Sequence, residues 1–168
     1  MSRNEDRIVR FSGMKPGTYK YHIMLGNDFF EEYKNEEIEG GEVNYEVTME
    51  RSERVTMLTF LLKGTLTTRC DRCLGELKVE VSGEERLNVR FSDTEQSDDE
   101  DTVVLAEDAY ELDLSPWLYE YVAVRLPLQH SHPEGECDPE TVRFLKEEEA
   151  PRPDDYVDPR WEALKELK

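Results

Sequence analysis

The sequence predicts an α+β fold: a mainly antiparallel sheet, curled or barrel-like, with one main helix and a C-terminal tail. Three observations predict it. Apolar and polar residues alternate with period two between 43 and 91. The period becomes helical after Ser115. From 147 the chain turns rich in proline and acid.

The first strand is expected at 18–25, "TYKYHIML". The following "NDFFEEYKNEEIEGG" reads as a helical turn closed by Gly40 and Gly41. Strands at 43–50 and 54–66 are joined at "RSER". Val43, Tyr45, Val47 and Met49 share one face of the first. The second carries Met57, Thr59 and Leu61 on one face and Leu58, Phe60 and Leu62 on the other, which places it centrally in the sheet. "ELKVEVSGEERLNVRFS" gives two more strands, 76–82 and 85–91, and "SDTEQSDDEDT", 92–102, a solvated acidic loop.

In the helix expected at 116–125, Ser115 is the N-cap and Pro116 the first helical residue. Trp117, Leu118, Tyr121, Val122 and Arg125 follow at helical spacing, Pro127 stops the run, and the Trp117/Tyr121 side faces the sheet. Residues 1–146 then form one domain, and 147–168 a linker with a short terminal helix. Trp161, Leu164 and Leu167 lie along one side of that helix, as an apolar edge for docking on the core or on a partner.

A net charge of -19 opposes nucleic-acid binding by the chain as a whole. The charge is uneven. Residues 93–120 contain no Lys or Arg, whereas in 69–90 Arg69, Arg72, Lys78, Arg86 and Arg90 balance five acids. A polyanion would have to meet the balanced region, and a basic protein the acidic ones. No apolar run approaches the ~20 residues of a membrane span, and no secretory signal opens the chain, so a cytoplasmic location is expected.

"TLTTRCDRCLG" holds Cys70 and Cys73, two of three cysteines. Three readings stand. The pair is half of a zinc site, completed from "QHSHPEGEC" by His130, His132 and Cys137. Alternatively it is a thiol-redox pair activated by Arg69 and Arg72, although no helix start follows it. The plainest reading is a tight connection between strands with Leu74 tucked into the core. No nucleophile–base arrangement or phosphate loop stands out, His22 reads as a core or edge residue, and an enzyme is not expected.

"CDRCLGELKVEVSGEERLNVRFS", an acidic gap and "YELDLSPWLYEYVAVRLPLQHSHPEGEC" together resemble the YceD family of large ribosomal RNA subunit accumulation proteins. Cys70, Arg72, Cys73 and Leu74 match its Cys-x-Arg-Cys-Leu turn, Asp113 and Leu114 its Asp-Leu, and Val124 to Leu128 its Leu-Pro segment. "DPRWEALKELK" is similar to the terminus of many members. The resemblance implies a non-catalytic part in ribosome biogenesis, supporting accumulation of large-subunit (23S) ribosomal RNA. The implied partner is that RNA or its precursor, or a basic ribosomal protein or maturation factor, with no DNA and no membrane. RNA contacts would fall to Arg69, Arg72, Lys78, Arg86 and Arg90. Some relatives complete four zinc ligands with a second Cys-x2-Cys, where this chain has His130, His132 and Cys137.

Overall fold

The computed structural model describes residues 5–11, 13–52, 55–94, 99 and 101–148. After a 3-10 turn at Glu5–Arg7 come β1 (Ile8–Arg10), β2 (Gly17–Leu25), α1 (Asn27–Tyr33), β3 (Gly40–Arg51), β4 (Val55–Arg69) and β5 (Glu76–Phe91). β6 (Thr102–Leu105), β7 (Glu111–Asp113), α2 (Ser115–Ala123) and α3 (Pro139–Glu148) follow. Five strands form one sheet in the order β2-β3-β4-β5-β6, antiparallel except for the parallel β5–β6 pair, and β1 pairs with β7 in a separate ribbon. The α+β class stands. Among the described residues the sheet is open, with β2 and β6 as edges, so no barrel closes, and three α-helices are present, α2 at the place of the expected main helix and α1 at that of the expected helical turn.

β4 is the middle strand, as its two-sided apolar pattern predicts. Its register aligns Val47 with Phe60 and Met49 with Leu58, and Leu58 with Leu87 on the far side, so the alternating residues of three strands share one face. All of these side chains are buried, and Leu112, Leu114, Leu118, Val122, Phe29 and Phe30 complete the core. Tyr45 is buried with them and donates its hydroxyl proton to the Leu118 carbonyl oxygen at 2.7 Å, tying α2 to the sheet. Removing one such large side chain costs about 2–5 kcal/mol. The opposite face is uncovered: Leu61 is 51% and Met24 78% exposed.

Several elements differ from the sequence reading for definable reasons. The expected pair 76–82 and 85–91 is one strand, because the odd-numbered residues keep the same phase through Gly83 and Glu85. There the Arg125 guanidinium lies where a Cβ on Gly83 would sit, 2.6 Å from Nε, and Arg125 pairs with Glu85. Gly40 and Gly41 do not close α1, which ends at Lys34 in the left-handed conformation (φ 49°). They open β3, where a Cβ on Gly41 would stand 2.7 Å from the Thr65 carbonyl oxygen. Ser115 is the first residue of α2 and Leu114 its cap; the Asp113 carboxylate accepts the Ser115 N–H at 2.9 Å.

The deep face of α2 carries Leu118 and Val122, with Trp117 and Tyr121 beside it and half-buried, and the Tyr121 ring meets Phe60 edge-on at 5.2 Å. His22 is exposed on the edge strand β2. β6 begins at Thr102, the last residue of the expected acidic loop, and α3 covers residues for which the sequence pattern predicts no element. Trp161, Leu164 and Leu167 lie outside the described residues. No described helix is long and apolar enough to cross a membrane.

Candidate metal centre

β4 ends at Arg69 and β5 begins at Glu76, so the intervening Cys-Asp-Arg-Cys-Leu-Gly must reverse the chain in six residues. The Cys70 N–H donates to the Gly75 carbonyl (2.9 Å) and the Leu74 N–H to the Cys70 carbonyl (2.8 Å). Leu74 takes up the left-handed conformation (φ 57°) and is 70% exposed. It is therefore not tucked into the core; the αL residue sits at the outer corner of the turn.

The segment after α2 is tied to this corner. The Asp71 N–H donates to the His130 carbonyl (3.0 Å), and the Asp71 carboxylate accepts the His130 N–H (2.7 Å). The Arg72 guanidinium donates to the His132 carbonyl. These bonds bring Cys137 and His132 over the Cys-x-x-Cys pair. Cys70 and Cys137 sulfurs are 3.8 Å apart, His132 Nδ1 is 3.4 Å from Cys73 Sγ and 4.0 Å from Cys137 Sγ, and all four donor atoms lie within 4.8 Å of one another.

This geometry fits a metal. A tetrahedron with zinc–sulfur bonds of about 2.3 Å has sulfur–sulfur edges of about 3.8 Å, and sulfur–nitrogen edges of about 3.6 Å. His132 Nε2 lies 3.0 Å from the Glu76 carbonyl oxygen, which only accepts, so Nε2 carries a proton and Nδ1 is the donor atom turned to the sulfurs. His130 is not part of the quartet: its Nδ1 faces the Pro127 carbonyl (2.9 Å) and its Nε2 the Thr68 hydroxyl (3.1 Å).

The electrostatics point the same way. Burial alone would raise the Cys70 thiol, but backbone N–H groups of Cys73, His132 and Arg72 outweigh it and bring Cys70 down to about 5. Cys73 is lowered, chiefly by the Asp138 and Gly75 N–H groups. Cys137, buried and beside two other sulfurs, is pushed up to about 11. His132 is raised by its hydrogen bonds to the Cys70 and Cys73 sulfurs. The cluster favours positive charge among its sulfurs, which is what a divalent cation supplies.

Asp71, the Glu76 carbonyl and the Asp138 N–H are absent from the sequence reading, since Cys and His spacing signals ligands but not the groups that orient them. The five basic residues do not gather into one free patch. Lys78, Arg86 and Arg90 point outward from β5, Arg69 ends β4 and Arg72 lies in the turn. Arg69 is paired with Glu39 at 2.5 Å, Arg86 with Glu84 at 3.0 Å, and Arg72 is engaged by His132.

No curated protein and no solved structure matches the chain at a level that supports comparison. A family model does, over residues 58–168, more than half the chain and including every member of the quartet. The chain belongs to the family described as large ribosomal RNA subunit accumulation protein YceD.

Proposed function

We propose that this chain is a non-catalytic ribosome-biogenesis factor of the cytoplasm that supports accumulation of large-subunit ribosomal RNA. In this reading a structural zinc at Cys70, Cys73, His132 and Cys137 holds the segment between α2 and α3 against the corner of β4 and β5. Family membership carries the biological half. The physical half rests on one observation, the closure of four soft and borderline donor atoms to within 4.8 Å. With all four positions filled by protein atoms no place is left for water or substrate, so the role is structural. The thiol-redox alternative has less support, because Cys70 and Cys137 are buried.

The partner is a basic ribosomal protein or maturation factor, held on the acidic surface, and the RNA benefits through it. The engaged state of Arg69, Arg72 and Arg86 favours this over direct phosphate contact. A second reading keeps RNA contact on Lys78, Arg86 and Arg90, because these three share the outward face of one strand. Residues 1–146 act as the domain and 147–168 as a docking tail through Trp161, Leu164 and Leu167.

The test is depletion of the protein in cells, with the ratio of mature large- to small-subunit ribosomal RNA as readout. The ratio is expected to fall, and an unchanged ratio contradicts the proposal. Neutralising the acids of 93–101 separates the partner readings. It should abolish co-purification of basic ribosomal proteins, whereas salt-sensitive RNA binding lost on Arg86→Ala would favour the second.

A further inference from the structure

The uncovered face of the sheet has its own chemistry. Across the strands Leu61 lies between Glu46 on β3 and Glu84 on β5, and two same-face positions further along, beyond Lys63, Thr65 lies between Glu42 and Glu80. Around Leu61 there is a hollow of about 580 Å³ whose charged lining is Glu42, Glu46, Glu80 and Lys63. Among the described residues these three glutamates make no ion pair. A second hollow of about 500 Å³ at the β2 edge shares Glu42 and holds exposed Met24. Together they cross the sheet from β2 to β5, three strand spacings or about 14 Å, the reach of about four extended residues.

A half-exposed leucine in the middle of a sheet, in a hollow where three glutamates outnumber one lysine, is complementary to one kind of occupant. We propose that this face docks a short extended protein segment in which Lys or Arg alternates with apolar residues. The cations meet Glu42, Glu46 and Glu80 while an apolar side chain covers Leu61. At this hollow a phosphate backbone would meet three carboxylates and one ammonium, a net like charge that disfavours it. The inference rests on the protein-partner reading above and gives that partner a second contact in addition to the acids of 93–101, with its own chemistry. Its test does not depend on the ribosomal RNA readout, so the two fail separately.

The probe is a fluorescein-labelled peptide of alternating arginine and leucine, titrated into the full chain by anisotropy. Replacing Glu42→Gln, Glu46→Gln and Glu80→Gln together should weaken binding about tenfold. Leu61→Ser should weaken it about fivefold, since an exposed position is changed without loss of core. A control of equal charge on exposed positions elsewhere, Glu31→Gln, Glu107→Gln and Asp108→Asn, should stay within about twofold. Equal weakening by both triple variants would mean bulk charge alone and overturn the proposal, as would an unchanged affinity for Leu61→Ser. Binding of a single-stranded oligouridylate that disappears on Leu61→Ser would overturn it in favour of RNA.

Discussion

The sulfurs of Cys70 and Cys137 lie 3.8 Å apart although 67 residues separate them along the chain. One belongs to the corner between the two longest strands, the other immediately precedes Asp138 and α3, whose Thr141 N–H the Asp138 carboxylate caps at 2.9 Å. A metal joining them closes a long loop and anchors the start of that helix. Removing the metal with a chelator should therefore lower the melting temperature by on the order of 10 °C. Scanning calorimetry with and without chelator measures it, and a shift within the scatter of replicate scans would mean that no metal contributes.

The two histidines should behave differently. His132→Ala removes a donor atom and should weaken zinc retention against a competing chromophoric chelator by at least about tenfold. His130→Ala removes ring contacts to Thr68, Pro127 and Asp71, none of them a donor atom of the quartet, and should retain zinc like the parent chain. Equal zinc loss from both variants would place the wrong histidine in the site.

Gly64 tests the sheet. A Cβ there would stand 2.2 Å from the Glu42 carbonyl oxygen and 2.5 Å from Val43 Cα, both backbone atoms of the paired strand. Gly64→Ala should cost about 1–3 kcal/mol in denaturant unfolding. Gly26→Ala, where an added methyl meets nothing within 4 Å, should cost less, about 0.5 kcal/mol, through the poorer N-cap of α1 alone.

Tyr45 and Tyr121 give the fold an alkaline limit. Both hydroxyls are raised above the ordinary tyrosine range, first by burial and then by nearby carboxylates: Glu85 for Tyr45, Asp101 and Glu85 for Tyr121. The folded chain holds these protons while the unfolded chain releases them near pH 10, so stability is level below that value and falls as pH rises above it. Tyr45→Phe should flatten the fall and cost about 1 kcal/mol at neutral pH through loss of the bond to Leu118. Urea midpoints from pH 8 to 11 check both parts, and a parallel decline in the two chains would remove Tyr45 as a source.

The long strands and α2 were legible because burial on one face leaves a period-two or helical imprint, as Val43 to Met49 and Leu118 with Val122 show. β1, β7 and β6 were not: strands of three or four residues are too short to carry a period. Gly83 and Glu84 hid the continuity of β5, since a glycine beside a charge within an alternating run reads as a turn until Arg125 is seen to fill the space over Gly83. In the metal centre the cysteine turn announced itself, and Cys137 and His132 were nameable as partners. The choice of His132 over His130 was beyond the sequence, because it depends on which ring the Glu76 and Pro127 carbonyls turn away from the sulfurs.

The most direct measurement is the metal content of the chain purified without an affinity tag, by elemental mass spectrometry together with a count of reactive thiols in the native state. One zinc per chain, with Cys70, Cys73 and Cys137 unreactive until the metal is removed, is the expected result. A folded protein carrying no metal, with its thiols open to reagent, would contradict the account at its centre.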